Sequence, residues 1–258
     1  MIVSVHIADV GVRSVAGVLR HRPQPGALKA YGPSGLRYGE TLLTGRIAAG
    51  PPRLVPGRAA LLAAWEDDAA LDRFLTDHPL AQRLASGWHI RLRPLRIAGS
   101  WGPMPVEIAP EDAAEAEAEE PVAVLTFGRL RLRRAVPFLR ANSRAAGRAA
   151  ASPGMMFSAA LARPPRFVST FSVWRSARAM NQYAYGTAEP EHIDAVKDDR
   201  SQPFHHESAF VRFRPYGEWG TLDGRRPLAD AAAAVTARSG AAEGVRRDER
   251  GCRGMRRV

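Results

Sequence analysis

A histidine in the second half of the chain has the surroundings best suited to cofactor chemistry. His192 belongs to an insertion, residues 185–193, that interrupts the second copy of an internal repeat. Pro190 suits the first turn of a helix, and Glu189 and Glu191 favour the positive N-terminal end of that helix. The insertion therefore predicts a short helix that presents His192, and an imidazole held in this way could ligate iron. The alternative is a polar residue on a solvated helix face.

Aromatic and basic side chains near the insertion could complete such a site. Trp174 and Tyr185 could line a flat apolar cofactor, although aromatic residues more often belong to a core. Phe204 is expected beside His192. Arg175 and Arg212 could pair with the propionates of a haem, or they could form exposed salt bridges.

The other ligand-type residues form weaker patterns. His205, His206 and Glu207 are adjacent, but neighbouring residues of a strand point to opposite faces, so they cannot all reach one metal ion. Cys252 is the single cysteine and lies in a tail without aromatic residues, so no Cys–His pair can be argued. The spacing of residues therefore assigns no catalytic nucleophile or base.

An internal repeat of about a hundred residues must position these side chains. Trp65 opens a helix-like run that leads to Arg-Leu-Arg-Pro at residues 91–94. Trp174 opens a similar run that leads to Arg-Phe-Arg-Pro at residues 212–215. A repeat of this length is a duplicated domain, which predicts two like modules packed together, with any site in the space between them.

Each module shows the pattern strand, helix, strand, strand, helix, strand. Asp67 and Ser176 are suitable N-caps for the second helices. This βαββαβ order is the ferredoxin-like arrangement, so the predicted fold class is α+β with tandem duplicated modules. Two such sheets placed face to face, with helices outside, form an α+β barrel whose interior is a pocket. The predicted strands are 2–7, 36–44, 58–64, 89–93, 122–127, 155–162, 167–173 and 209–213.

The chain divides into four predicted segments. They are a first module (1–104), an acidic linker (105–121), a second module (122–228) and a basic tail (229–258). The linker and the tail lack aromatic residues and cannot bury enough apolar surface to fold unaided. Residues 228–238 could form a marginal helix; we expect the rest of the tail to be disordered, and the tail from about Ala229 to be dispensable.

Composition excludes several classes of protein. No apolar run is long enough to span a membrane, and the N-terminus has no secretory signal. The single cysteine can form no intramolecular disulfide, which favours the cytoplasm. The formal net charge of +11 comes almost entirely from arginine, much of it in the tail, and no aromatic-flanked basic stripe is present. We therefore expect no specific binding of nucleic acid.

Four motifs of the second module carry a resemblance to a known family. They are Ser-Val-Trp-Arg at 172–175, Met-Asn-Gln-Tyr-Ala-Tyr at 180–185, His-Ile-Asp-Ala at 192–195, and Phe-His-His-Glu-Ser-Ala-Phe-Val-Arg-Phe at 204–213. These motifs resemble the C-terminal signature of the spheroidene monooxygenase family, and the resemblance extends over roughly residues 1–222. Pro203 stands where that family commonly has an aromatic residue, and His206-Glu207 stands where it commonly has paired acids.

The resemblance implies an oxygenase that inserts oxygen into an acyclic carotenoid or a similar apolar substrate. It implies haem as the cofactor, His192 as the axial ligand and metal site, and an electron donor that the sequence does not identify. An apolar substrate would bring this cytoplasmic protein to the membrane surface, and a homo-oligomer is compatible with the sequence. The alternative is a non-catalytic ferredoxin-like barrel that binds a small apolar ligand, which would not need the insertion around His192.

Overall fold

Eight antiparallel strands form a closed barrel in the computed structural model of the chain. The structure describes residues 1–21, 33–47, 53–104, 106–110, 118–185, 203–231 and 233. Four strands come from each predicted module, and the helices lie outside the barrel. Each module therefore supplies half of the barrel wall.

The first module has the predicted order of elements. The Asp67 side chain caps the second helical segment by accepting a hydrogen bond from the Ala70 N–H at 2.8 Å, as the sequence predicts. The His78 ring caps a further short helix by accepting from the Leu80 N–H at 3.1 Å. In chain order the elements are β1 (Ile2–Asp9), α1 (Val12–Arg20), β2 (Leu36–Arg46), β3 (Arg53–Trp65), α2 (Asp68–Asp77), α3 (Pro79–Leu84) and β4 (Trp88–Gly99).

The second module repeats this order. Ser176 caps its second helix by accepting a hydrogen bond from the Ala179 N–H at 3.2 Å. Its last strand is longer than predicted because it pairs with a strand of each module. The elements are β5 (Val122–Leu130), a 3₁₀ turn (Leu132–Arg134), α4 (Ala135–Ala151), β6 (Met155–Arg163), β7 (Phe167–Trp174), α5 (Ala177–Tyr185) and β8 (His205–Trp219).

The two sheets are hydrogen-bonded to each other along both edges. The strand order is β4-β1-β3-β2 in the first sheet and β8-β5-β7-β6 in the second. Residues 89–99 of β4 pair with residues 209–219 of β8, and residues 43–46 of β2 pair with residues 159–162 of β6. The predicted tandem ferredoxin-like modules packed as an α+β barrel are therefore confirmed, and the sheets are joined at both edges as well as facing each other.

Large apolar side chains fill the interior of the barrel. Leu62, Trp88, Phe171 and Phe213 are fully buried there. The Trp88 ring lies 5.4 Å from the ring of Phe157 and 6.0 Å from that of Phe171, measured between centroids. Side chains from all eight strands contribute to this core, and most of them expose no surface to water. The expectation of an interior pocket between the modules is therefore wrong.

The segments that follow the two last strands close opposite ends of the barrel, because β4 and β8 run antiparallel. After β4, Trp101 and Met104 are buried, and the Trp101 ring lies 5.5 Å from that of Phe127. After β8, Leu222 and Ala231 are buried in the same core. Each end is therefore covered by its own short segment of chain.

A carboxylate holds the second of these segments in place. Glu218 accepts hydrogen bonds from Trp88 Nε1 at 2.6 Å, from the Leu228 N–H at 2.9 Å and from the Ala229 N–H at 3.0 Å. These bonds satisfy the free N–H groups of a helical turn at 227–231. Residues 229–231 are therefore ordered and packed at this end of the barrel, and residues 234–258 lie outside the described ranges. The dispensability of the chain from Ala229 stays a prediction.

The described parts of the acidic linker contact both modules. Glu107 forms an ion pair with Arg37 of β2 at 2.7 Å. Glu120 lies 3.6 Å from Arg214 of β8, and its carbonyl accepts a hydrogen bond from the Ala177 N–H at 2.9 Å. The described linker residues thus contact the barrel, Glu107 in the first module and Glu120 in the second. Within the described ranges, no helix combines the length and the hydropathy needed to cross a membrane.

Candidate functional site

The outer face of the second sheet carries small and hydroxyl side chains that stay half-exposed. Strand register places Ala160, Thr170, Thr126 and Phe210 side by side across β6, β7, β5 and β8. Ligand sites are mostly apolar surfaces with a few placed polar groups, and this surface has that character. We call it the open face, and it comprises Thr126, Ser158, Ala160, Val168, Thr170, Ser172 and Phe210.

Helix α5 borders the open face on one side. The Tyr183 ring stacks on the Trp174 ring, with 5.1 Å between centroids and 30° between planes. Trp174 Nε1 donates to Ser172 Oγ at 3.0 Å. The indole N–H is thus satisfied within the site, and the two rings present an apolar wall.

Helix α4 and the start of β8 border the other side. Phe138 of α4 packs edge-on against Phe204 and His205, at centroid distances of 5.9 and 5.0 Å. The His205 ring lies over Gly128, where an added Cβ would come within 2.5 Å of the ring. Glycine in a strand often marks such a close approach, and here it lets an imidazole lie directly on the sheet.

Two threonine hydroxyls form the polar centre of the open face. Thr126 Oγ1 and Thr170 Oγ1 are 2.6 Å apart, and Thr126 Oγ1 also accepts the Thr170 N–H at 3.0 Å. One of the two hydroxyl hydrogens is used within the pair. The other is left to donate to a bound ligand, so this pair can orient a polar atom above the sheet.

The predicted site residues fall into separate places around the open face. Trp174 and Arg212 lie on the α5 side, where Arg212 Nη2 donates to Asn181 Oδ1 at 2.9 Å. Phe204 lies on the α4 side with Phe138. Arg175 stands at the end of β7, where its Nη1 donates to the Pro153 carbonyl at 3.4 Å. The structure therefore groups Trp174 with Arg212 and places Phe204 opposite them.

Two predicted residues cannot be placed. His192 lies in residues 186–202, which are outside the described ranges, and so does the side chain of Tyr185. Within the part of the chain that is described, no group of three or more His, Cys, Asp or Glu side chains could hold a metal ion. The assignment of His192 as an iron ligand therefore stays a prediction.

His205 is the site residue to which sequence reasoning gave too little weight. In the sequence it stands out only as one of three adjacent ligand-type residues. The other two make different contacts: His206 lies 3.3 Å from Arg166, and Glu207 lies 3.4 Å from Arg129. Only His205 reaches the sheet beside the open face. The signal that could have found it is Gly128, a glycine inside a strand whose neighbour must approach closely.

Two histidines of the first module, His6 and His89, lie together in its packed interior. The rings of His6 and His89 are stacked 5.0 Å apart. Burial lowers the pKa of His6 well below its ordinary value, and the charges of His89 and Arg91 lower it further. Burial, with the nearby Arg91 charge, lowers the pKa of His89 to about 4. Both imidazoles are therefore neutral at pH 7.

Curated relatives cover most of the chain. It is 30% identical over 206 residues to the spheroidene monooxygenase of Rubrivivax gelatinosus, covering 78% of this chain and 77% of that protein. It is 29% identical over 175 residues to the spheroidene monooxygenase of Rhodobacter capsulatus, covering 66% of this chain and 71% of that protein. No protein-family model matches the chain.

Solved structures are more distant. An aldoxime dehydratase in complex with butyraldoxime matches 88% of this chain and 84% of its own, with 11% identity and a TM-score of 0.48. A putative monooxygenase from Lactobacillus acidophilus matches 87% of this chain and 97% of its own, with 12% identity and a TM-score of 0.37. Likeness at this level says nothing about function.

Proposed function

The chain belongs to the spheroidene monooxygenase family, and we propose that it is a haem-dependent oxygenase that inserts oxygen into a carotenoid or a similar apolar substrate. The observation that carries the proposal is the open face of the second module. This face combines a floor of small residues with the Trp174–Tyr183 wall and the Phe204–His205 wall. The family motifs fall in the same module.

The donor set around the open face fits a planar apolar cofactor. A macrocycle needs a floor without large side chains, which residues such as Ala160 and Thr170 supply. It needs aromatic neighbours, which Trp174 and Phe204 supply on opposite sides. It needs cations for its acid groups, and Arg212 is buried on the α5 side. The interior of the barrel, by contrast, is filled.

We assign the residues of the site as follows. His192 would hold the haem iron through a neutral imidazole. Trp174, Tyr185 and Phe204 would line the ring, and Arg175 and Arg212 would bind its acid groups. Haem, when bound, supplies the activation of molecular oxygen, and the protein supplies binding, orientation and an apolar environment.

The described residues prepare the site for chemistry that must avoid water. The stacked and edge-on aromatic pairs cover both margins of the open face with apolar surface, which lowers the local dielectric. The free hydroxyl hydrogen of the Thr126–Thr170 pair can hold a polar atom of the ligand in one orientation.

The partners follow from the reaction class. An oxygenase of this kind needs electrons, so we propose a separate electron donor in the cytoplasm. A carotenoid partitions into lipid, so we propose that the enzyme works at a membrane surface. The alternative of a non-catalytic barrel that binds an apolar ligand in its interior loses support, because the described residues fill that interior.

Haemin titration tests the proposal. Addition of haemin to the purified full chain should give a Soret band with the signature of histidine ligation. His192→Ala should lose that spectrum and should lose incorporation of ¹⁸O from ¹⁸O₂ into an acyclic carotenoid. His206→Ala is the matched control, because His206 is exposed on β8 and points to Arg166. An unchanged spectrum in His192→Ala would exclude His192 as the ligand, and a wild-type chain that binds no haemin would refute the haem proposal.

A further inference from the structure

One arginine occurs at the same place in both modules. Arg91 of β4 and Arg212 of β8 each begin an Arg-x-Arg-Pro sequence, and each side chain lies between its sheet and the second helix of its module. Both residues are buried, at 9% and 6% exposure. The guanidinium Nε has no hydrogen-bond partner in either case. The two arginines differ in the groups that surround their guanidinium.

Arg91 is neutralised by two carboxylates of α2. Its Nη1 donates to Asp68 Oδ1 at 2.7 Å, and its Nη2 donates to Asp72 Oδ1. The guanidinium also lies over the Trp219 ring, 4.6 Å from the centroid. The first module therefore surrounds this buried charge with opposite charge and an aromatic face.

Arg212 meets only neutral atoms among the described residues. Its Nη2 donates to Asn181 Oδ1 at 2.9 Å and lies 3.9 Å from Met180 Sδ. Trp65 and Trp174 open the two repeats, and counting from them places Ala177 where the first module has Asp68, and Asn181 where it has Asp72. The second module has thus kept the buried cation and lacks both of its carboxylates.

A buried guanidinium without a counter-ion is costly, and the first module shows what satisfies it. Asp68 and Asp72 are 39% and 60% exposed at their side chains, so they reach Arg91 from the solvent side. In the second module Ala177 is buried, at 3% exposure, whereas Asn181 is half-buried. An external carboxylate can therefore reach Arg212 from the Asn181 side, at the position that Asp72 fills in the first module.

The position of Arg212 connects it with the open face. Phe210 precedes it by two residues on β8, so the two side chains leave the same face of the sheet. From this we infer that Arg212 is a binding site for a carboxylate carried by the otherwise apolar ligand of the open face. The inference rests on the proposed function, in which that carboxylate is a haem propionate; an apolar carboxylic acid is the other source of the same chemistry.

Paired probes that differ only in the acid group test the inference. The full-length protein should bind haemin about tenfold more tightly than haemin dimethyl ester, as expected for one charge-assisted hydrogen bond. Arg212→Gln should remove this preference. Asn181→Asp should remove it as well while keeping Arg212, because it supplies the carboxylate found in the first module, and it should raise the melting temperature. Asp72→Asn, the matched change beside Arg91, should keep the preference.

The possible results separate this inference from the haem proposal. Equal affinity of the wild type for acid and ester, or a preference that survives in Asn181→Asp, would overturn the role of Arg212 and leave the haem proposal standing. If haemin does not bind at all, the haem proposal fails. The affinities of the protein for retinoate and for retinol then decide the inference. Tighter binding of retinoate that Asn181→Asp abolishes supports it, whereas equal or absent binding of the pair overturns it.

Discussion

The outer faces of the two sheets occupy equivalent places in the two modules and have opposite character. In the first sheet, His6 and Leu61 are register partners that lie buried beneath helices. The equivalent partners in the second sheet are Thr126 and Thr170, which are half-exposed. The same backbone arrangement thus carries a packed layer in one module and a surface of small polar residues in the other.

The helices of the two modules show the same difference. In the first module, Leu71, Phe74 and Leu80 of α2 and α3 are buried against the sheet. In the second, α5 likewise buries Ala177 and Met180, and the difference lies in α4, whose Val136 and Leu139 are 57% and 41% exposed. In the first module the helices bury the outer face of the sheet, whereas in the second module part of that face stays exposed and can bind a ligand.

Truncation of equivalent aromatic residues should give the largest effect and tests the comparison directly. Phe74 is 2% exposed and packs 4.8 Å from the Trp65 ring, whereas its counterpart Tyr183 is half-buried and stacks on Trp174. Phe74→Ala should lower the free energy of unfolding by about 3–5 kcal/mol, and Tyr183→Ala by about 1–2 kcal/mol. Urea unfolding of both variants measures this, and equal losses would show that the second sheet is as well covered as the first.

Acidification should in particular destabilise the outer face of the first sheet, which helices cover. Burial holds the pKa of His6 and of His89 below the ordinary 6.5, so the unfolded chain binds more protons than the folded one. The stability that they contribute is complete above pH 6.5 and is lost as the pH falls toward 4. We expect a loss on the order of 2 kcal/mol between pH 7 and pH 5.

The control for this pH effect is a histidine of the other module. His89→Gln should flatten the pH dependence of the free energy of unfolding, and His206→Gln, on the exposed side of β8, should leave it unchanged. If instead both substitutions alter this pH dependence equally, the acid sensitivity is not a property of the helix-covered outer face of the first sheet.

Shortening the chain tests the segment that closes one end of the barrel and should have the smallest effect. A chain that ends after Leu228 loses the hydrogen bond from Ala229 to Glu218 and the buried Ala231. Its free energy of unfolding should fall by about 1–2 kcal/mol. A chain that ends after residue 233 should melt like the full chain. Thermal unfolding of both measures this, and identical melting would show that residues 229–231 contribute nothing.

The fold was predictable because its signals are local or repeated. Alternating apolar residues mark the strands, and Asp67 and Ser176 start their helices as helix-capping chemistry requires. The two Arg-x-Arg-Pro sequences then revealed the duplication. The filled interior was not predictable, because a strand pattern tells which side chains face inward and not whether their summed volume leaves a cavity.

The candidate site was predictable only in part. Trp174 and Phe204 were identified from motifs, and both border the open face. That His205 joins them depends on Gly128, which lies 77 positions away in the sequence and is brought beneath it only by strand pairing. The different surroundings of Arg91 and Arg212 likewise depend on single residues one helix away, which no motif includes.

Both edges at which the two sheets pair lie within one chain, which affects how the barrel unfolds and how it can evolve. Closure by β4 with β8 and by β2 with β6 is intramolecular, so the melting temperature should not depend on protein concentration, as it would for a barrel assembled from two molecules. A symmetric pair of identical subunits would also receive every substitution twice. Covalent fusion removes that constraint, so one arginine can have an aspartate beside it while its equivalent has an asparagine.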